Sequence, residues 1–106
     1  MLPMAWVDIG SLDDFVDGSG AAIRAGDRSL AVFRLAEEIL AIENRCPHRG
    51  LPLHDGTLSG ASVRCRTHGS CFDLRSGAVE RGPASRGVFV YRVDVTAGRV
   101  RVEIPG

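Results

Sequence analysis

Between Arg45 and Ser85 the chain carries six glycines and three prolines, together with every cysteine and histidine it has. Glycine and proline at this density write turns rather than long elements. Short strands at most fit there: Val63-Arg64-Cys65, Cys71-Phe72-Asp73 and Ala78-Val79-Glu80. A stretch so rich in loops needs something to organise it. A chain of 106 residues suits one domain, here taken as 1–106, and a domain of that size buries only a limited share of its surface. A bound metal group would supply order that the core alone does not.

The flanks read as β structure. Residues 29–35 (SLAVFRL) and 38–44 (EILAIEN) are rich in strand-favouring side chains, with Ala36-Glu37 as a tight connection. Both are continuous apolar runs, so length and the turn, not periodicity, decide for strands. Near the C-terminus the period is plainly two: Phe89, Tyr91, Val93 and Val95 alternate with Val90, Arg92, Asp94 and Thr96. Val100, Val102 and Ile104 alternate with Arg101 and Glu103, and Ala97-Gly98 stands where a hairpin turn belongs. Residues 21–26 (AAIRAG) read as a weaker strand. Residues 11–16 (SLDDFV) suit one helical turn, with Ser11 as N-cap and acidic residues in the first turn.

Thirteen basic residues, all arginine, balance thirteen acidic ones. Zero formal charge argues against a general nucleic-acid binder. The opening MLPMAWVDIG lacks the basic start and apolar run of a secretory signal, and no stretch approaches the roughly 20 apolar residues of a membrane span. The expected place is the cytoplasm. Three cysteines cannot form a full disulfide framework, and in a reducing compartment thiols near imidazoles point to metal or catalysis.

The cysteines and histidines have a spacing. Cys46, His48, Cys65 and His68 form C-x-H-x16-C-x2-H, two pairs of one sulfur and one nitrogen, each followed closely by glycine. A tetrahedral Cys2His2 zinc site is one reading, although zinc spacing usually pairs cysteine with cysteine and histidine with histidine. A [2Fe–2S] cluster with two histidines on one iron is the other. Two irons explain why every pair is mixed, since each loop can place its thiolate on one iron and its imidazole on the other. Cys71 and His54 fall outside the pattern: Cys71 reads as a small packed residue, His54 as an exposed turn residue. Asp73 reads as a turn cap, and Trp6 and Tyr91 as packing aromatics. Arg45, Arg49, Arg64 and Arg66 flank the four donors. Loop charges of this kind are ordinarily solvated, and they can equally form a basic rim that steers an acidic partner.

Cys46-Pro47-His48-Arg49-Gly50 and Cys65-x-x-His68-Gly69, followed by Phe72-Asp73, Gly77 and Gly82-Pro83-Ala84, resemble the Rieske family. The likeness is strongest to the small ferredoxins of bacterial ring-hydroxylating oxygenase systems, and it runs from the strand around Trp6 to the last hairpin. It implies an all-β Rieske fold: an antiparallel, sandwich-like base with an inserted cluster-binding subdomain over about 45–85. It implies one Rieske-type [2Fe–2S] cluster on Cys46, His48, Cys65 and His68, with Gly82-Pro83-Ala84 as a covering third loop. Rieske subunits of quinol-oxidising complexes carry an extra cysteine in each ligand loop, where this chain has Leu51 and Thr67. Their ligand-bonding tyrosine aligns with Phe72, while Ser70 matches the serine that bonds a bridging sulfide. These departures favour the lower part of the Rieske potential range, about −150 to +300 mV.

With four protein ligands, neither iron keeps an open position for a substrate. No Ser/His/Asp arrangement, phosphate loop or dinucleotide fingerprint accompanies the motif. The expectation is a non-enzymatic one-electron carrier between a flavin-containing ferredoxin reductase and a terminal aromatic-ring-hydroxylating oxygenase, with no nucleic-acid or membrane partner. The alternatives are a small Rieske subunit of another oxidoreductase such as nitrite reductase, a zinc-stabilised binding module, and a redox sensor.

Overall fold

A computed structural model describes residues 3–105. Ten strands form two antiparallel sheets. The larger has the order β1-β10-β9-β4-β3-β2, from β1 (Met4–Ser11), β2 (Ser19–Ala25), β3 (Arg28–Leu35), β4 (Glu38–Glu43), β9 (Val90–Thr96) and β10 (Arg99–Pro105). The smaller is β5 (Thr57–Ser59), β6 (Ser62–Arg64), β7 (Cys71–Asp73) and β8 (Val79–Arg81), inserted between β4 and β9. Among the described residues no helix is long and apolar enough to cross a membrane.

The expected strands form, and AAIRAG belongs to a full seven-residue strand rather than a weak one. Thr57–Ser59 adds a strand that its flanking glycines hid. The turn at Ser11 is one 3-10 turn, Leu12–Asp14, and Asp14 rather than a longer helix anchors it by accepting the Ser11 amide at 2.9 Å.

β3 and β4 are continuous apolar runs because both their faces are buried. Leu30, Val32, Ile39 and Ala41 face one core with Val100, Val102 and Ile104. Ala31, Phe33 and Ile42 face a second core with Leu53, Val63 and Phe72. β10 touches only the first core, so it alternates: Val100, Val102 and Ile104 are buried, Arg99 and Arg101 exposed. Each fully buried aliphatic or Phe side chain contributes about 1.5–3 kcal/mol.

The turns fix the register. Ala97 and Gly98 both take positive φ, the requirement of a two-residue hairpin with the right twist. Ala36 also sits at φ 57°, where Asp17 accepts its amide at 2.8 Å and Arg34 donates to its carbonyl at 2.7 Å. β4 meets β9 only at Ala41–Tyr91 and Ile42–Val90. Where β4 leaves the sheet, the chain passes at once into the cysteine–histidine segment.

Candidate metal centre

The two donor loops are built alike. In the first, the Cys46 amide donates to the Leu51 carbonyl and the Gly50 amide to the Cys46 carbonyl, both at 2.7 Å. In the second, the Cys65 amide donates to the Ser70 carbonyl at 2.8 Å and the Gly69 amide to the Cys65 carbonyl at 3.0 Å. Each loop therefore leaves its cysteine, turns, and returns to it. Gly50 and Gly69 close the turns at φ 74° and 81°, a region side chains rarely adopt.

These loops carry the four predicted donors. Cys46 and Cys65 are free thiols, each 2% exposed, in the second core. The His48 and His68 rings meet edge to face with centroids 4.9 Å apart. His68 is exposed and His48 half-buried. His48 Nδ1 is buried and has no hydrogen-bond partner. A buried polar nitrogen without a partner costs about 1–3 kcal/mol, and an iron bound there would remove that cost. Among the described residues no three His, Cys, Asp or Glu side chains gather as a single ion requires. Two buried thiols in one core and two imidazoles in contact are the donor types a two-iron cluster needs.

The surroundings support the loops. Ser70 is fully buried, and its Oγ accepts the Ala84 amide at 3.0 Å, which ties the Gly82-Pro83-Ala84 loop to the second donor loop. That bond leaves the hydroxyl hydrogen of Ser70 free to donate. Phe72 is fully buried and brings no hydroxyl. Cys71 packs half-buried, its thiol 3.5 Å from the Gly69 carbonyl. Asp73 caps its turn as expected, accepting the amides of Arg75 (2.7 Å) and Ser76 (2.9 Å). The Ser76 amide and then the Arg75 amide hold its carboxyl below the usual range.

Three features were not legible beforehand. His54 is not an exposed turn residue: it is half-buried, and its Nδ1 lies 3.1 Å from Asn44 Nδ2. Asn44 Oδ1 also accepts the amides of Leu53 (2.7 Å) and His54 (2.9 Å), fastening the end of β4 to the segment after the first donor loop. An asparagine at a strand end often bonds nearby backbone, so its type and place were the available signal. Second, Arg66 is not a free rim charge, because Asp55 accepts from it at 3.0 Å. Third, the Arg45 and Arg64 guanidiniums lie over Gly50 and Gly69: a Cβ on either glycine would come within 3.2 Å or 3.1 Å of a guanidinium nitrogen. Tyr91 packs in the base core as expected. Trp6 is 40% exposed and lies under the guanidiniums of Arg92 and Arg101.

The model of the Rieske [2Fe-2S] domain family matches residues 5–92. The anthranilate 1,2-dioxygenase ferredoxin subunit of Burkholderia cepacia is 32% identical over 99 residues, 93% of this chain and 92% of that one. The ferredoxin of carbazole 1,9a-dioxygenase from Nocardioides aromaticivorans IC177 superposes with a TM-score of 0.90 at 27% identity, covering 96% of this chain and 99% of that one. A chain from the complex of reduced oxygenase and oxidized ferredoxin in carbazole 1,9a-dioxygenase superposes with a TM-score of 0.84 at 31% identity, covering 92% and 91%. A family match across most of the chain shows that the chain belongs to the Rieske [2Fe–2S] domain family.

Proposed function

We propose that Cys46, His48, Cys65 and His68 hold one Rieske [2Fe–2S] cluster, and that the chain is a ferredoxin component carrying single electrons to a terminal ring-hydroxylating oxygenase. The observation that carries the ligand assignment is the buried, unpartnered His48 Nδ1 beside the His68 ring. When bound, the cluster supplies one-electron chemistry at a potential raised by neutral imidazoles in place of thiolates. The chain's own residues hold the donors, exclude water from the thiols, and expose the imidazole end. The exposed His68 edge offers the shortest route to a partner.

The oxygenase partner is supported by relatives named as dioxygenase ferredoxin components and by the carbazole complex. A flavin-containing reductase as electron source completes the balance, since no dinucleotide fingerprint accompanies the cysteine–histidine motif in the sequence. The free thiols suit a reducing compartment, and we place the protein in the cytoplasm. One Rieske domain accounts for residues 1–106, with the cluster-binding segment over about 45–85.

The test is spectroscopic. Dithionite-reduced protein gives the EPR signature of a histidine-ligated cluster, and His48→Cys and His68→Ala alter or abolish it along with the visible absorption. An unchanged spectrum in either variant removes that residue from the ligand set. A colourless protein containing zinc replaces the carrier with a zinc-stabilised module.

A further inference from the structure

The formal charge of zero conceals a division. Residues 45–85 carry six arginines and three carboxylates, while the rest of the chain carries seven and ten. Pairing sharpens it. Outside the segment, Arg28, Arg34, Arg92, Arg99 and Arg101 each have a carboxylate within ion-pair distance. Inside it, only Arg66 and Arg75 do. Among the described residues six arginines lack such a partner, and four of them, Arg45, Arg49, Arg64 and Arg81, lie on the cluster-binding segment.

Two of these four sit against the donor loops. The Arg45 and Arg64 guanidiniums lie beside the closing glycines of their own donor loops, Gly50 and Gly69. Neither makes a side-chain hydrogen bond among the described residues. Arg64 also lines a hollow of about 430 Å³ with Thr57, Thr67 and the exposed His68. A guanidinium with no side-chain partner suits a carboxylate, which its planar fork can take bidentately.

We propose that the imidazole-bearing end is a cationic docking face for the acidic surface of the oxygenase, with Arg45 and Arg64 as its carboxylate anchors. This rests on the electron-carrier reading. The rest of the chain carries the surplus of carboxylates, two of which, Asp27 and Glu43, line a hollow with Arg45. Orientation then comes from the molecule's own charge separation, and encounter is fast at low salt.

Charged probes test the face without the native partner. Reduced protein is oxidised one electron at a time by ferricyanide, an anion, or by hexaamminecobalt(III), a cation, across a salt series. The expected result is that ferricyanide oxidation slows with added salt while the cobalt reaction speeds up. Arg45→Gln/Arg64→Gln lowers the ferricyanide rate at low salt by about tenfold and flattens both slopes, with EPR and potential retained. Arg99→Gln/Arg101→Gln makes the same change in net charge on β10 of the larger sheet and leaves the slopes in place. Binding of poly-L-glutamate, tighter than that of poly-L-lysine and lost in the first variant, gives a readout independent of the cluster. Salt slopes of the opposite sign in the wild type, or slopes and polyglutamate binding untouched in the Arg45/Arg64 variant, overturn the docking face. A wild-type protein lacking the histidine-ligated signature overturns the carrier reading instead, and polyglutamate still decides the charge.

Discussion

At the scale of single residues, Ser70 carries two duties with one hydroxyl. Its oxygen accepts the Ala84 amide in a fully buried position, and its hydrogen stays available for a bound sulfur. Ser70→Ala leaves the Ala84 amide without an acceptor, which costs about 1–3 kcal/mol. It also removes a donor that favours the reduced form, so the potential falls. Urea unfolding reads the first effect and redox titration the second. Phe72→Tyr tests the converse, because a hydroxyl placed toward the thiols raises the potential. A stability loss in Ser70→Ala with no change in potential would confine Ser70 to holding the third loop.

At the scale of elements, the two sheets are strapped together by Arg75, in the turn after β7, and Glu38, at the start of β4. Arg75 Nη2 donates to Glu38 Oε1 at 2.8 Å. That hydrogen bond holds the Glu38 carboxyl below its ordinary value of 4.5. The neighbouring Asp73 is held below 3.8 by the amides of its own turn. Groups lowered in this way stabilise the fold fully above their ordinary values, and the stabilisation is lost as pH falls through the lowered ones. The strap and the turn should therefore stay intact from neutral pH down to about 4.5 and loosen together below it. Glu38→Gln removes the strap's share of that acid transition and costs little at neutral pH, since both partners are well exposed. Acid titration followed by circular dichroism checks both. The Asp73 cap was readable in advance because aspartate bonding backbone two and three residues on is a local pattern. The strap was not, because it joins residues 37 positions apart in sequence. The same division holds elsewhere. The donor spacing, the closing glycines and the β10 alternation are local and legible. Asn44 reaching Leu53, and Asp55 neutralising Arg66, depend on how the loops fold over one another.

At the scale of the whole molecule, β3 and β4 form a wall between two unequal cores. One side rests on long strands closed by β9 and β10. The other rests on four strands of three residues each, and its buried set includes Cys46 and Cys65. Strands that short make few ladder bonds, and the donor loops that cover them carry an unpartnered buried nitrogen. Binding free energy at such a site is folding free energy for the segment around it. Removing the cluster by chelation under reducing, mildly acidic conditions should therefore act unevenly. Amides of β5 to β8 and both donor loops should exchange with solvent near the free-chain rate, while those of β1, β2, β3, β9 and β10 keep their protection. β4 should divide the effect, because Ile42 faces the opened core and Ile39 and Ala41 the intact one. Hydrogen exchange read by mass spectrometry on matched holo and apo samples distinguishes this from its rival. Loss of protection across both sheets at once would mean that the two cores unfold as one unit and that the wall transmits the loss. Protection retained everywhere would mean that the short sheet stands on its own packing, and that the thiol–imidazole loops are ordered before any iron arrives.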